Sequence, residues 1–310
     1  MPLHPSAAAI VQMLDEAGLL GTMDMTPQEM REQMDSRSGM IPPHPLHSVV
    51  DRTIPGPAGD LPVRVYRRSD DTGLPVLVWF HGGGWVIGGL NSHDQMCRLL
   101  ADDVGCVVIS IDYRLAPEAQ FPCAVDDCVA AYEWVLAHTD ELGGDSTRIA
   151  IGGDSAGGNL TAVVALVARD QGITPPKVQV MIYPVTDDDF EAPSMIDNAT
   201  GYFLETERMR WYFEQYAPRG ADREDWRCNP MRAEDVSGLP PAIVVTAEYD
   251  PLRDQGEAYG RRLIDAGVDA DVIRVDGVFH GFFGLHALIE PAKEPWDRVV
   301  VGLRDALGLR

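Results

Sequence analysis

The sequence predicts an α/β fold, a mostly parallel central sheet flanked by helices. Three observations carry that expectation. Short runs rich in Val and Ile recur between longer segments of helical period, the pattern left by strands joined through crossover helices. The 310 residues suffice for one large buried core. No stretch approaches the ~18 uninterrupted apolar residues of a membrane span.

The elements follow in chain order. The N-terminus lacks the basic start of a secretory signal, and Asp15 and Glu16 close its short apolar run, so it reads as an amphipathic helix of the mature chain. A Met-rich stretch (Met23, Met25, Met30, Met34, Met40) follows and ends in the rigid Ile41-Pro42-Pro43-His44-Pro45 run. Strands are expected at Val63–Tyr66, Val76–Phe80, Val107–Asp112, Arg148–Gly152, Val178–Tyr183, Ala242–Thr246 and Asp271–Val275. Between them, Asp126–Thr139 and Asn159–Asp170 carry apolar residues at three- and four-residue intervals without interior Pro or Gly, and are expected to be helices. Residues 187–225 break the alternation with an acidic loop and then Tyr202, Phe203, Trp211, Tyr212, Phe213 and Tyr216. The division is therefore a core at 46–186 and 226–310, with additions at 1–45 and 187–225.

Composition narrows the function. A formal net charge of −23 argues against nucleic acid as a partner, because that affinity comes from clustered Lys and Arg. Five cysteines, with no Cys-x-x-Cys pair, suit reduced thiols in the cytoplasm better than a disulfide framework. Cys123 and Cys128 flank a helical stretch, where packing explains them. His44 and His47 lie three apart beside prolines without a third ligand, so no metal site is expected.

Chemistry concentrates at Gly153-Asp154-Ser155-Ala156-Gly157, between an expected buried strand and a helix. A serine held in a strained turn with its hydroxyl exposed needs small residues two before and two after it, and Gly153 and Gly157 are that small. His81-Gly82-Gly83-Gly84-Trp85 directly follows the strand Val76–Phe80. Acyl transfer places negative charge on the carbonyl oxygen, and backbone N–H groups aimed at it lower the barrier by several kcal/mol. Gly83, Gly84 and Ala156 are the expected donors of this oxyanion hole, with the helix dipole behind Ala156. The serine needs a base late in the chain after a final strand. His280 fits, between Gly277 and Gly281 and beside phenylalanines, while His286 is the nearby rival. The acid that orients the base is expected at Asp250, with Asp254 and Glu248 as alternatives.

These residues resemble the bacterial hormone-sensitive-lipase-like esterases (family IV), in the branch whose elbow reads Gly-Asp-Ser-Ala-Gly. The resemblance rests on His81–Trp85, Asp112-Tyr113-Arg114-Leu115-Ala116-Pro117-Glu118, Gly153–Gly158, Tyr249-Asp250-Pro251-Leu252-Arg253-Asp254 and Phe279-His280-Gly281-Phe282, in order and over most of the chain. It implies an α/β-hydrolase fold with a helical cap formed by residues 1–45 and 187–225. It implies a triad of Ser155, Asp250 and His280, oxyanion donors at Gly83, Gly84 and Ala156, and no cofactor. His81 is then expected to shape its loop, Arg114 and Glu118 to be ion-paired scaffold, and Asp154 to stand outside the catalysis. Trp85, with Phe203 or Trp211, is expected to touch substrate. The implied activity is hydrolysis of short- to medium-chain carboxylic esters. The same triad could serve an amidase or lactonase, and a non-catalytic binding protein on this fold, as in the related plant gibberellin receptors, is the alternative of another class. A homodimer through the last sheet edge, Asp271–Val275, is a further possibility.

Overall fold

The computed structural model describes residues 2–18, 25–37 and 42–309. Met23, Met40 and Ile41 of the Met-rich stretch lie outside the described residues.

The strands are β1 (Ser48–Gly56), β2 (Gly59–Arg67), β3 (Leu74–Phe80), β4 (Val107–Ile111), β5 (Gly144–Asp154), β6 (Gln179–Ile182), β7 (Ala242–Tyr249) and β8 (Ala270–Phe279). They form one sheet in the order β1-β2-β4-β3-β5-β6-β7-β8, parallel from β4 to β8 and antiparallel where β1 and β2 join. Seven of them overlap the expected runs. Strand β1 was not expected, for a physical reason. It is an edge strand whose Asp51, Arg52 and Thr53 face solvent, and Pro55 near its end is tolerable only at such an edge.

The helices are α1 (Pro5–Glu16), α2 (Pro27–Arg37), α3 (Asp94–Leu100), α4 (Cys123–His138), α5 (Ala156–Gln171), α6 (Pro193–Asp197), α7 (Thr206–Tyr216), α8 (Gly220–Arg223), α9 (Arg253–Asp265) and α10 (Lys293–Ala306). Strand periodicity divides the core in two. Val76, Val78 and Phe80 point to one face, under α4, α5 and α9, whereas Leu77 and Trp79 point to the other, under α3 and α10. Both faces of the parallel strands are covered, which is why those strands read as continuous apolar runs. Helix α5 lies closest to the centre, buried from Ala156 to Ala168. Among the described residues, no helix is long and apolar enough to cross a membrane.

Residues 187–225 contain α6, α7 and α8. Helix α7 buries Met209, Tyr212, Phe213 and Tyr216, the i, i+3, i+4, i+7 stripe of an amphipathic helix. At the N-terminus, α1 is tied to the end of β8 by the His4 N–H, which donates to Gly277 O at 2.8 Å. Helix α2 opens on a reciprocal cap between Thr26 and Glu29.

Because β3, β5, β6, β7 and β8 run parallel, their carboxyl ends meet at one edge of the sheet. The residues that follow those ends are His81, Ser155, Tyr183, Asp250 and His280. Open α/β sheets place their ligand sites at this edge.

Candidate active site

Ser155 sits between β5 and α5 at φ 55°, ψ −117°, a left-handed region that a non-glycine residue occupies only under constraint. Its N–H donates to Ile182 O at 2.8 Å, which holds the turn against β6. A Cβ on Gly157 would overlap Phe80 O, and one on Gly153 would overlap the Gly157 carbonyl, so the elbow can close only with glycine at both positions.

His280 reaches both other groups. Its Nε2 lies 3.0 Å from Ser155 Oγ and its Nδ1 lies 2.7 Å from Asp250 Oδ2. Asp250 is fully buried, and its second oxygen accepts the Leu252 N–H at 2.8 Å. With Nδ1–H donating to Asp250, Nε2 is left as an acceptor facing the serine hydroxyl. The alternatives lie elsewhere. Asp254 pairs with Arg253 and accepts the Ser194 N–H, the Glu248 carboxylate accepts the Gly277 N–H, and His286 stacks on Trp296 with ring centroids 4.0 Å apart.

Ala156 is the first residue of α5, so its N–H has no partner within the helix and stands at the positive end of the dipole. Gly83 and Gly84 both have positive φ, 119° and 60°, and the loop folds back as Gly83 O accepts the Val86 and Ile87 N–H groups. Next to Ser155, Asp154 points away from His280, toward Gly82 and His93. Burial raises its carboxyl, but the charge and hydrogen bond of His93, with the fields of His81 and His280, outweigh burial and leave it below the usual value.

The residues expected to touch substrate separate. Trp85 is fully buried, stacked on Tyr216 at 4.3 Å and edge-on to Phe213 at 5.3 Å, and it fastens α7 to the core. Its indole offers no surface to a ligand here, which corrects that expectation. Phe203 is 41% exposed and lies against Gly281, beside His280. Trp211 is half-buried, edge-on to Tyr212. Arg114 and Glu118 are ion-paired, but to other elements: Arg114 holds the buried Asp127, and Glu118 holds Arg31 of α2.

Two neighbours of the site were not anticipated. Tyr212 covers Gly84 so closely that a Cβ there would run into its ring. The inward stripe of α7 was the signal that could have found it. Tyr183, at φ 35°, sets its ring 4.4 Å from that of His280. Burial, then the charges of Asp154 and Asp250, hold its hydroxyl protonated well above the usual range. No sequence pattern marks it beyond its place after β6.

Known proteins agree with this architecture. A family model for the alpha/beta hydrolase fold matches residues 77–284. An ethyl acetate hydrolase of Pseudomonas putida is 38% identical over 99% of this chain and 100% of its own. The carboxylic ester hydrolase LipN of Mycobacterium tuberculosis is 43% identical over 83% of this chain and 70% of its own. The solved hyperthermophilic esterase of the archaeon Pyrobaculum calidifontis superposes with a TM-score of 0.91 at 41% identity, covering 98% of this chain and 99% of that one. With the elbow, the glycine loop and the late histidine all in place on this sheet, the chain belongs to the hormone-sensitive-lipase-like family IV carboxylic ester hydrolases of the α/β-hydrolase superfamily.

Proposed function

We propose that the chain hydrolyses short- to medium-chain carboxylic esters through an acyl-enzyme on Ser155. His280 takes the proton from Ser155 Oγ as the oxygen attacks the ester carbonyl, and returns it to the departing alkoxide. Water then adds to the acyl-enzyme by the same relay in reverse, releasing the acid. Asp250 keeps the proton on Nδ1 and stabilises the imidazolium. Gly83, Gly84 and Ala156 donate to the oxyanion in both steps. One observation carries the assignment: His280 lies within hydrogen-bond reach of Ser155 and Asp250 at once, 3.0 and 2.7 Å.

Residues 1–45 and 187–225 are the cap in this reading. The support is that α7 lays Tyr212 directly over Gly84 and that Phe203 borders the His280 loop. A small ester is the partner, and the five free cysteines favour a reducing compartment such as the cytoplasm. A homodimer through β8 is part of the proposal, because β8 ends the sheet and Val301 on the adjoining α10 is 55% exposed.

Initial rates on p-nitrophenyl esters of increasing acyl length, with matched amides and lactones, test the activity. Short and medium esters should be turned over fastest, and Ser155→Ala should lose roughly 10⁴-fold or more of kcat with the fold intact. Activity retained in that variant would exclude Ser155 as the nucleophile.

A further inference from the structure

We propose that Asp154 and His93 are positioning residues for the oxyanion hole, a buried charged pin that fixes the glycine loop at a set distance from the nucleophile. The proposal rests on the reading of Gly83, Gly84 and Ala156 as oxyanion donors. Three elements meet at the pin: Gly82 after β3, His93 at the start of α3, and Asp154 at the end of β5. The Gly82 N–H donates to Asp154 Oδ1 at 3.1 Å, and His93 Nε2 lies 3.2 Å from the same oxygen and 3.3 Å from Oδ2. Both side chains are nearly closed to solvent, with Asp154 at 7% and His93 at 9% exposure.

Hydrogen-bond accounting fixes how His93 acts. Ser92 Oγ accepts the Gly89 N–H at 3.0 Å and gives its single proton to Gly89 O at 3.0 Å. It can therefore only accept from His93 Nδ1, 2.9 Å away. The other nitrogen, Nε2, faces the Asp154 carboxylate at 3.2 and 3.3 Å. The Gly82 N–H is shared between Asp154 Oδ1 at 3.1 Å and His93 Nε2 at 3.2 Å, so both side chains of the pin hold the same backbone group. Any side chain at residue 82 would collide with Asp154 Oδ2, so the loop is pressed against the carboxylate.

The consequence lies one residue away on each side. Asp154 precedes Ser155, and Gly82 precedes the donors Gly83 and Gly84. A carboxylate that binds the backbone of one loop from the stem of the other sets the nucleophile-to-donor distance without touching substrate. A buried charge is costly unless paired, so a scaffold that only filled this space would be better served by an apolar side chain. Pinning matters here because a donor displaced by about 1 Å can cost about 10²-fold in rate.

Asp154→Asn, Asp154→Ala, His93→Leu and His93→Gln test this on the full chain. A short-chain p-nitrophenyl ester supplies kcat and KM. Two inhibitors probe the hole: an alkyl trifluoromethyl ketone, whose adduct with Ser155 carries the oxyanion, and the isosteric ether, which forms no adduct. Asp154→Ala and His93→Leu should lower kcat about 10- to 100-fold with KM within about 3-fold, and weaken the ketone by a like factor while leaving the ether unchanged. His93→Gln, whose amide N–H can donate to Asp154, should recover part of the loss. If Asp154→Ala does not fold, the isosteric Asp154→Asn decides, with a smaller loss of the same kind.

A wild type that binds ketone and ether alike would overturn the oxyanion reading beneath the proposal. If the wild type prefers the ketone and folded Asp154→Asn and His93→Leu keep both kcat and that preference, the pin is overturned while the donors stand. Loss that follows only the folded fraction, with kcat per folded molecule unchanged, also overturns it.

Discussion

His81 opens the glycine loop, yet its ring is fully buried and stacked on Tyr113 with centroids 4.1 Å apart. Nδ1–H donates to Gly82 O at 2.8 Å. Burial, then the positive field of His93, push the imidazole down to about 3, so it stays neutral in the folded chain under mildly acidic conditions. In the unfolded chain it titrates near 6.5. Between those values the unfolded state holds one more proton, and folding stability falls as pH falls, by up to about 1.4 kcal/mol per pH unit. Above the unfolded value the contribution is fully present. Urea midpoints at pH 7 and 5 should show wild type losing about 2 kcal/mol more than His81→Gln over that interval. Equal losses would mean that the ring takes up its proton without unfolding. Residues also differ in how plainly the sequence announces them. Ser155 was legible because the steric demand for glycine at 153 and 157 is local to five residues. Trp85 was misread because its direction is set by Tyr216 and Phe213, more than 120 positions away in the chain.

Among the elements, those with an internal pattern were legible and those defined by distant partners were not. Helices α4 and α5 announce themselves by period, and the strands at the centre of the sheet by their apolar runs. Strand β1 has neither, and α2 carries little apolar surface with which to show where it docks. Met30 packs against the core, and the strongest polar attachment among the described residues is Arg31. The Arg31 guanidinium makes a two-point pair with Glu118 at 3.0 and 2.8 Å, and also donates to Val86 O at 2.8 Å and Ala116 O at 2.7 Å. The ion pair alone contributes little, since the Glu118 side chain is 64% exposed. The two carbonyl bonds add geometry that only the planar fork supplies. Arg31→Lys should therefore loosen α2 nearly as much as Arg31→Ala, and Glu118→Gln less than either. Limited proteolysis within residues 25–37 measures this directly, while global stability should change by no more than about 1–2 kcal/mol. Protection equal to wild type in Arg31→Ala would show that α2 is held by other contacts.

At the scale of the whole molecule, charge and the sheet edge oppose each other. Forty-eight acidic residues against 25 basic ones leave each copy at −23, so two copies repel at long range before any edge can pair. The surface beside β8 is mixed rather than purely acidic: Arg298 pairs with Asp271 and Glu294, and Lys293 with Asp297. These local pairs already neutralise much of their own charge, and exposed pairs of this kind are worth about 1 kcal/mol or less each. The excess carboxylates are spread over the molecule, and at distances beyond about 10 Å their repulsion is largely screened at 0.1 M salt. Screening should therefore help association more than it weakens the few cations at the edge. Sedimentation velocity should show a species of twice the 33.9 kDa chain mass whose share grows between 20 and 300 mM NaCl. Val301→Asp, which sets a charge on the apolar flank of that edge, should return it to monomer at both salt concentrations. A chain that stays monomeric throughout would remove the β8 dimer, and one that dissociates as salt rises would move the contact to a surface held by ion pairs.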